Sequence, residues 1–272
     1  MSMAAAVRRM PTEPPVALVA GAHDALSALL VQEVGFDAVW ASSFAISAAR
    51  GLPDLSPLSM TDYLESASRM SEVCGVPVLA DCDTGFGGNL NVAYLVRRYE
   101  AAGIGGVCIE DKVFPKRNSF IPGQALEDAD CFARKIATAK GAQRDGDFVV
   151  VARTEAAIAG FGVEEAVRRC HRYVDAGADA VLMHSKSNKP AEALDFMRSW
   201  SGRAPVVVVP TNCSGLPASM IGWRWTDVGR SRSGRALPCR SGTLPAPTHP
   251  TSPTPAHPNP ACHQRSRHAR SA

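Results

Sequence analysis

The chain has 272 residues, of which 46% are hydrophobic, and a formal net charge of +3. That length suits one large α/β domain, and no apolar run approaches the roughly 20 residues that a membrane-spanning helix needs. The positive excess sits at the far end, where Asp227 is the only acid beside eight arginines; residues 1–211 are slightly acidic and show no basic pattern interleaved with aromatics, which excludes nucleic-acid binding by that part.

Residues 1–15, with prolines from Pro11 to Pro15 and no apolar signal-peptide core, read as a flexible N-terminus, and a cytoplasmic protein is expected. The first strand is predicted over Ala17–Gly21. An amphipathic stretch then ends at Gly35 and passes into the apolar run up to Val39. A third strand is predicted over Val76–Ala80. The same helix, glycine, strand pattern returns at Ala102-Gly103 up to Val107, and again at Ala176-Gly177 up to Val181. Strands over Phe148–Ala152 and Pro205–Val209 bring the number to seven. Glycine closing a helix just before an apolar run is the signature of a C-cap feeding a strand. Strands alternating with helices in this way predict a (βα)8 TIM-type barrel over residues 16–211, incomplete because the eighth βα unit is missing. The eight cysteines form no CxxC pair and read as reduced, mostly core residues.

After Thr211 the alternation stops, and between Leu244 and Pro260 proline recurs every two or three residues among Thr, Ser, His and Ala. Residues 212–272 are therefore expected to be a disordered, basic, Pro-rich tail. An altered reading frame or splicing accounts for such a tail more simply than a docking function.

Polar residues gather where the predicted strands end, the edge at which α/β folds bind ligands. Trp40-Ala-Ser42-Ser43-Phe44 ends the second strand, Asp81-Cys-Asp83 the third, Glu110-Asp-Lys the fourth, Arg153-Thr-Glu155 the fifth and His184-Ser-Lys186 the sixth. A lone His184 would read as a satisfied structural histidine; five such ends together point to an active site. Carboxylates at the end of a buried strand are costly without a compensating cation. Asp81, Asp83 and Glu110 offer only oxygen donors, which favours Mg2+ or Mn2+ over zinc. The following loop, from Val113 through Lys116-Arg-Asn118-Ser119 to Pro122-Gly123, reads as a lid that completes an anion site. A solvated Lys-Arg pair is the plainer account of that segment taken alone.

From about Gly21 to Thr211 these motifs resemble the phosphoenolpyruvate mutase branch of the isocitrate lyase superfamily. The resemblance is carried by Trp40-Ala-Ser-Ser-Phe, by Asp81-x-Asp83-Thr-Gly-Phe-Gly and above all by Glu110-Asp-Lys-x-x-x-Lys116-x-Asn118-Ser119. Lyases of the superfamily carry Lys-x-Cys-Gly-His in the lid, and related phosphonopyruvate hydrolases carry Thr where Asn118 stands. The resemblance implies a Mg2+-dependent isomerase that interconverts phosphoenolpyruvate and phosphonopyruvate, at the start of phosphonate biosynthesis. It implies Asp81 as a direct metal ligand, with Asp83 and Glu110 holding the metal through water. Trp40, Ser42, Ser43 and Phe44 would bind substrate, with backbone amides around Ser43 and Phe44 on its carboxylate. Asp54, Lys116, Asn118, Ser119, Arg153 and His184 are the implied catalytic set. Family members usually have Gly where Ser43 stands, so a tightened or strained pocket is expected there if the position needs positive φ. They are also homo-oligomers that swap their last helix, which this chain is expected to lack. Phosphonopyruvate hydrolysis or a related C–P or C–C cleavage stays open, as does an inactive, truncated barrel.

Overall fold

Two periodicities build the structure, a computed structural model that describes residues 1–10, 17–200 and 202–209 together with the backbone of 222–224. Seven short strands run parallel: β1 (Val19–Ala22), β2 (Ala38–Ala41), β3 (Val78–Asp81), β4 (Gly106–Glu110), β5 (Val149–Thr154), β6 (Ala180–Met183) and β7 (Val206–Val208). They pair in sequence order into a curled sheet. The expected strands are all present, displaced by one to three residues at their ends.

Helices α2 (Ala25–Val34), α4 (Met60–Val73), α5 (Asn89–Ala101), α6 (Ala129–Ala142), α7 (Gly162–Asp175) and α8 (Ala191–Ser199) connect them, with the short α3 (Ser43–Ala49) following β2. Asp24 with Ser27 and Ser59 with Asp62 form capping boxes that start α2 and α4. The three glycines expected to end helices, Gly35, Gly103 and Gly177, all take left-handed backbone, with φ of 95°, 76° and 100°.

Side chains alternate along the strands. Val78, Ala80, Val107, Ile109, Val150 and Ala152 face the helices in one buried cluster. Leu79, Cys108, Val149, Val151, Ala180, Leu182 and Val207 form another inside the curl. Because strand side chains repeat every two residues, the next inward positions after Leu79, Cys108, Val151 and Leu182 are Asp81, Glu110, Arg153 and His184. Strand periodicity thus aims four of the expected polar residues into one mouth.

Two expectations are corrected. Residues 3–9, expected within a flexible N-terminus, form α1 (Met3–Arg9), capped by the Ser2 hydroxyl. Val7 of α1 is fully buried among the inward residues. Arg8 donates to the carbonyls of Asp147 and Phe148 and pairs with Asp179 at 2.9 Å. The apolar side of this helix closes the bottom of the curl, an area that would otherwise face water. The second correction concerns the tail. Within it, β8 (Gly222–Arg224) pairs antiparallel with β7, since an edge strand offers unpaired backbone groups to any segment that reaches it. This is not the parallel strand of an eighth βα unit. The remainder of the expected disordered tail over 212–272 lies outside the described residues. Among the described residues no ladder joins β1 to β7 or β8.

Candidate active site

A cavity of about 650 Å3 opens at the C-terminal ends of the strands, lined among others by Trp40, Ser42, Phe44, Asp54, Asp81, Lys116, Asn118, Arg153 and His184. Two cationic centres organise it. Lys116, arriving from the loop after β4, is 5% exposed. Its ammonium lies 2.7 Å from Asp83 Oδ1 and 2.9 Å from Asp54 Oδ1, and donates to Ser43 Oγ at 3.0 Å. Burial opposes its charge, but Asp83, Asp81, Glu110 and Asp54 together hold its pKa well above the ordinary lysine value. Asn118, two residues on, donates through Nδ2 to Asp54 Oδ2 at 2.9 Å. The loop expected as a lid thus lines the cavity through Lys116, Asn118 and Phe120.

Arg153 and His184 form the second centre. Arg153 Nη2 sits 2.8 Å from His184 Nδ1, and its Nε lies 2.6 Å from Glu155 Oε1 and 3.2 Å from Glu110 Oε2. Burial and the neighbouring Arg153 push the His184 imidazole below its ordinary pKa. The ring is therefore neutral near pH 7, with its Nδ1 lying between the Arg153 guanidinium and the Glu155 carboxylate, 2.9 Å from Oε1.

Asp83 occupies left-handed backbone at φ 48°, followed by Gly85 at 84°, Phe86 at 56° and Gly87 at 141°. This tight turn brings the Asp83 side chain back beneath Lys116, where Ser56 also donates to it at 2.8 Å. It is locked by the Glu110 amide on the Asp83 carbonyl at 2.8 Å and by Phe86 stacked on Tyr63. Burial raises the Asp83 carboxyl's pKa, Lys116 opposes the rise and Asp81 adds to it. Burial pushes Glu110 up to about 7 against the pull of Arg153. Both Glu110 oxygens and Asp83 Oδ1 are buried without a hydrogen bond of good geometry, although each has a cation within 4 Å.

Those under-satisfied oxygens, with Asp81 beside them at the cavity wall, are the donor set a hard divalent ion takes. Among the described residues no three acidic, His or Cys side chains converge as a closed metal cage. Magnesium usually keeps several waters and takes one or two carboxylates directly, so the residues fit such an ion.

A family model described as phosphoenolpyruvate phosphomutase matches residues 7–221. The chain belongs to the phosphoenolpyruvate phosphomutase family. The phosphoenolpyruvate phosphomutase of Tetrahymena pyriformis is 45% identical over 213 residues, covering 78% of this chain and 71% of that protein. The phosphonopyruvate hydrolase of Variovorax sp. is 47% identical over 192 residues, covering 70% and 66%. The crystal structure of a phosphoenolpyruvate phosphomutase from Streptomyces platensis subsp. rosaceus superposes with a TM-score of 0.79 at 50% identity, covering 81% of this chain and 79% of that one. The chain spans roughly two thirds of the length of the curated relatives it matches. More distant relatives carry lyase names, such as 2,3-dimethylmalate lyase of Eubacterium barkeri at 37% identity. Solved structures of the PEP mutase/isocitrate lyase superfamily share the same barrel architecture.

Within this family fold, the expected residues meet with two qualifications. Ser43 is the first residue of α3, whose cap is the Ser42 hydroxyl on the Ala45 amide. It has no positive φ, so the strain expected of a serine there does not arise, and its hydroxyl instead gives Lys116 an acceptor. Ser119 lines the cavity with the others, and its hydroxyl accepts from Lys112 Nζ and donates to Glu155 Oε2, both at 2.8 Å.

Residues left out of the expected site prove central to it. Glu155 is fully buried and meets Arg153, His184, Ser119 and Lys112. Burial alone would raise its pKa, yet Arg153, His184 and Lys112 hold it well below the usual carboxylate range. Asp111 accepts from the Glu155 amide, Thr154, Tyr173 and Arg169, which fixes the end of β5. The available signal was charge: a strand end carrying Arg153 and Glu155 two apart places both on one face.

Proposed function

We propose that this chain interconverts phosphoenolpyruvate and phosphonopyruvate by Mg2+-dependent phosphoryl transfer between the oxygen and the carbon of a pyruvate enolate. The observation that carries this reading is the lid: Lys116 and Asn118 reach Asp54 across a cavity whose other wall is Arg153 with His184. Four nitrogen-bearing side chains facing one space suit a group that bears three equatorial oxygens at its transition state.

In this reading the phosphoryl group takes the acceptor role that Asp54 now fills for Lys116 and Asn118. Arg153 and neutral His184 hold it from the opposite side. The first amides of α3, at Ser43 and Phe44, have no acceptor within the helix and would receive the substrate carboxylate. Trp40 forms the wall on which the enolate turns its carbon toward phosphorus. The O–P bond breaks and the C–P bond forms with no net proton transfer, so these residues supply positioning and charge rather than acid-base chemistry. Asp81, with Asp83 and Glu110, would hold Mg2+, or Mn2+ in its place, which when bound would neutralise the carboxylate and enolate oxygens. The lid excludes water, to which the transferring group is otherwise lost. A cytoplasmic setting agrees with the unpaired state of Cys74, Cys82, Cys108, Cys131 and Cys170.

Phosphonopyruvate hydrolysis is the second reading, favoured by the 47% identity to the Variovorax hydrolase; Asn118 in the lid weighs toward the mutase. Phosphorus NMR of purified protein with Mg2+ and phosphonopyruvate separates them. Signal moving to phosphoenolpyruvate is the expected result. Free phosphate would establish hydrolysis, and an unchanged spectrum from a folded sample would overturn both and favour an inactive chain.

A further inference from the structure

We propose that Lys112 and Glu155 are positioning residues: they latch the far end of the lid and, through a single carboxylate, aim Arg153 and His184 at the transferred group. The inference deepens the phosphoryl-transfer reading and rests on it for its consequence in turnover, but the latch itself is a matter of contacts.

The two oxygens of Glu155 divide the work. Oε1 receives Arg153 through Nε at 2.6 Å and Nη2 at 2.5 Å, with His184 Nδ1 at 2.9 Å. Oε2 receives the Ser119 hydroxyl at 2.8 Å and the Lys112 ammonium at 3.0 Å. Lys112, 2% exposed, also donates to the Arg117 carbonyl at 2.9 Å and to Ser119 Oγ at 2.8 Å. Opening the lid would strip Lys112 of both loop acceptors and Glu155 of one donor. Buried charged groups left short of partners are costly, so this cluster favours the closed lid.

Lys116 ties the lid at a separate point, through Asp54, Asp83 and Ser43. The two ties differ in what substrate does to them. Lys116 and Asn118 must give up Asp54 to grip a phosphoryl group, whereas the Lys112, Ser119 and Glu155 cluster can stay intact. The second tie therefore keeps the lid shut while the first changes partners, and it keeps Arg153 and His184 from following the lid.

Arg117 is exposed on the lid, which supplies a readout independent of activity: the initial rate of tryptic cleavage between Arg117 and Asn118, followed by mass spectrometry on the full chain. Cleavage of a briefly opened segment tracks the open population. Ser119→Ala and Lys112→Met should each accelerate that cut about tenfold, the scale of one lost hydrogen bond to a charged group. The double variant should be no faster than the faster single one, because the three side chains act as a unit. With phosphonopyruvate, kcat should fall more than KM changes, and the share of free phosphate in the product should rise. Cleavage of Ser119→Ala at the parent's rate would overturn the latch, as would accelerations that multiply in the double variant. Ser119→Ala removes one hydroxyl and decides the matter alone should Lys112→Met not fold. Faster cleavage in variants of a parent that turns over no phosphonopyruvate would sink the proposed reaction and leave the latch standing.

Discussion

Lys116 carries three acceptors and a net surplus of negative neighbours, so its charge is secure and its removal should be felt in rate more than in fold. Lys116→Met should lower kcat by about 10²–10³, the usual cost of losing one preorganised electrostatic donor; steady-state kinetics beside a thermal melt checks both halves. Asp81 has the opposite signature. It stands in a crowd of acids, so Asp81→Ala relieves repulsion and should leave the fold intact while abolishing Mg2+-dependent turnover. In the parent, Mg2+ at a hundred times its Kd should stabilise the fold by about 2.7 kcal/mol. Melting curves with and without Mg2+ should show that gain in the parent and not in Asp81→Ala. For His184 the sign follows from its lowered pKa. Below the ordinary value of 6.5 the unfolded chain binds more protons at this ring than the folded one, so stability is lost as pH falls through that region. His184→Gln should flatten the acid side of the stability profile measured by urea unfolding.

The turn from Asp83 to Gly88 is the element on which the placement of the Asp83 carboxylate depends. Gly85 has φ 84°, and a Cβ there would meet Val92 Cγ2 at 2.6 Å. Gly85→Ala should therefore cost about 1–3 kcal/mol in denaturant unfolding and displace Asp83 from Lys116, with activity falling further than stability. Helix α1 offers a second test. Val7 is fully buried against the inward faces of the strands, and Val7→Ala should destabilise by about 1–3 kcal/mol without altering KM. The aspartate turn was legible as a motif, since Asp81-x-Asp83-Thr-Gly-Phe-Gly is specific. Helix α1 was not, because a seven-residue amphipathic stretch before a run of prolines is too short to signal itself by propensity and owes its stability to packing.

Across the molecule, every polar residue of the candidate site lies between Ser42 and His184, on segments joined by the continuous ladder from β2 to β6. The chain divides by its contacts after Arg230, and a protein ending there should keep the melting temperature and turnover of the full chain; loss of either would show that residues 231–272 support the fold. No helix among the described residues is long and apolar enough to cross a membrane. The cavity continues from the polar mouth to Leu18, Val19 and Phe36 on one side and Val207, Val208 and Val209 on the other. These flank the two ends of the parallel ladder, so the active-site space reaches the position where an eighth unit would close the barrel.

Local patterns were enough to read seven parallel strands, the glycine-ended helices and the polar strand ends, because each rests on neighbours within a few residues and on a period of two or 3.6. The resemblance to the family, carried by those strand-end motifs, named Trp40, Asp54, Asp81, Lys116, Asn118, Arg153 and His184, all of which line one cavity. What no local pattern contains is the choice of partners among buried charges. Ser119 reads as a ligand-facing hydroxyl beside Asn118 and does line the cavity, but its hydroxyl is taken up by Lys112, seven residues before it, and by Glu155, 36 residues after it, which together need a group that both donates and accepts. Ser43 reads as strain and becomes an acceptor for Lys116, 73 residues away. Both outcomes depend on which desolvated groups meet across the curled sheet, and burial without a partner is too costly for those groups to be left as the sequence alone would place them.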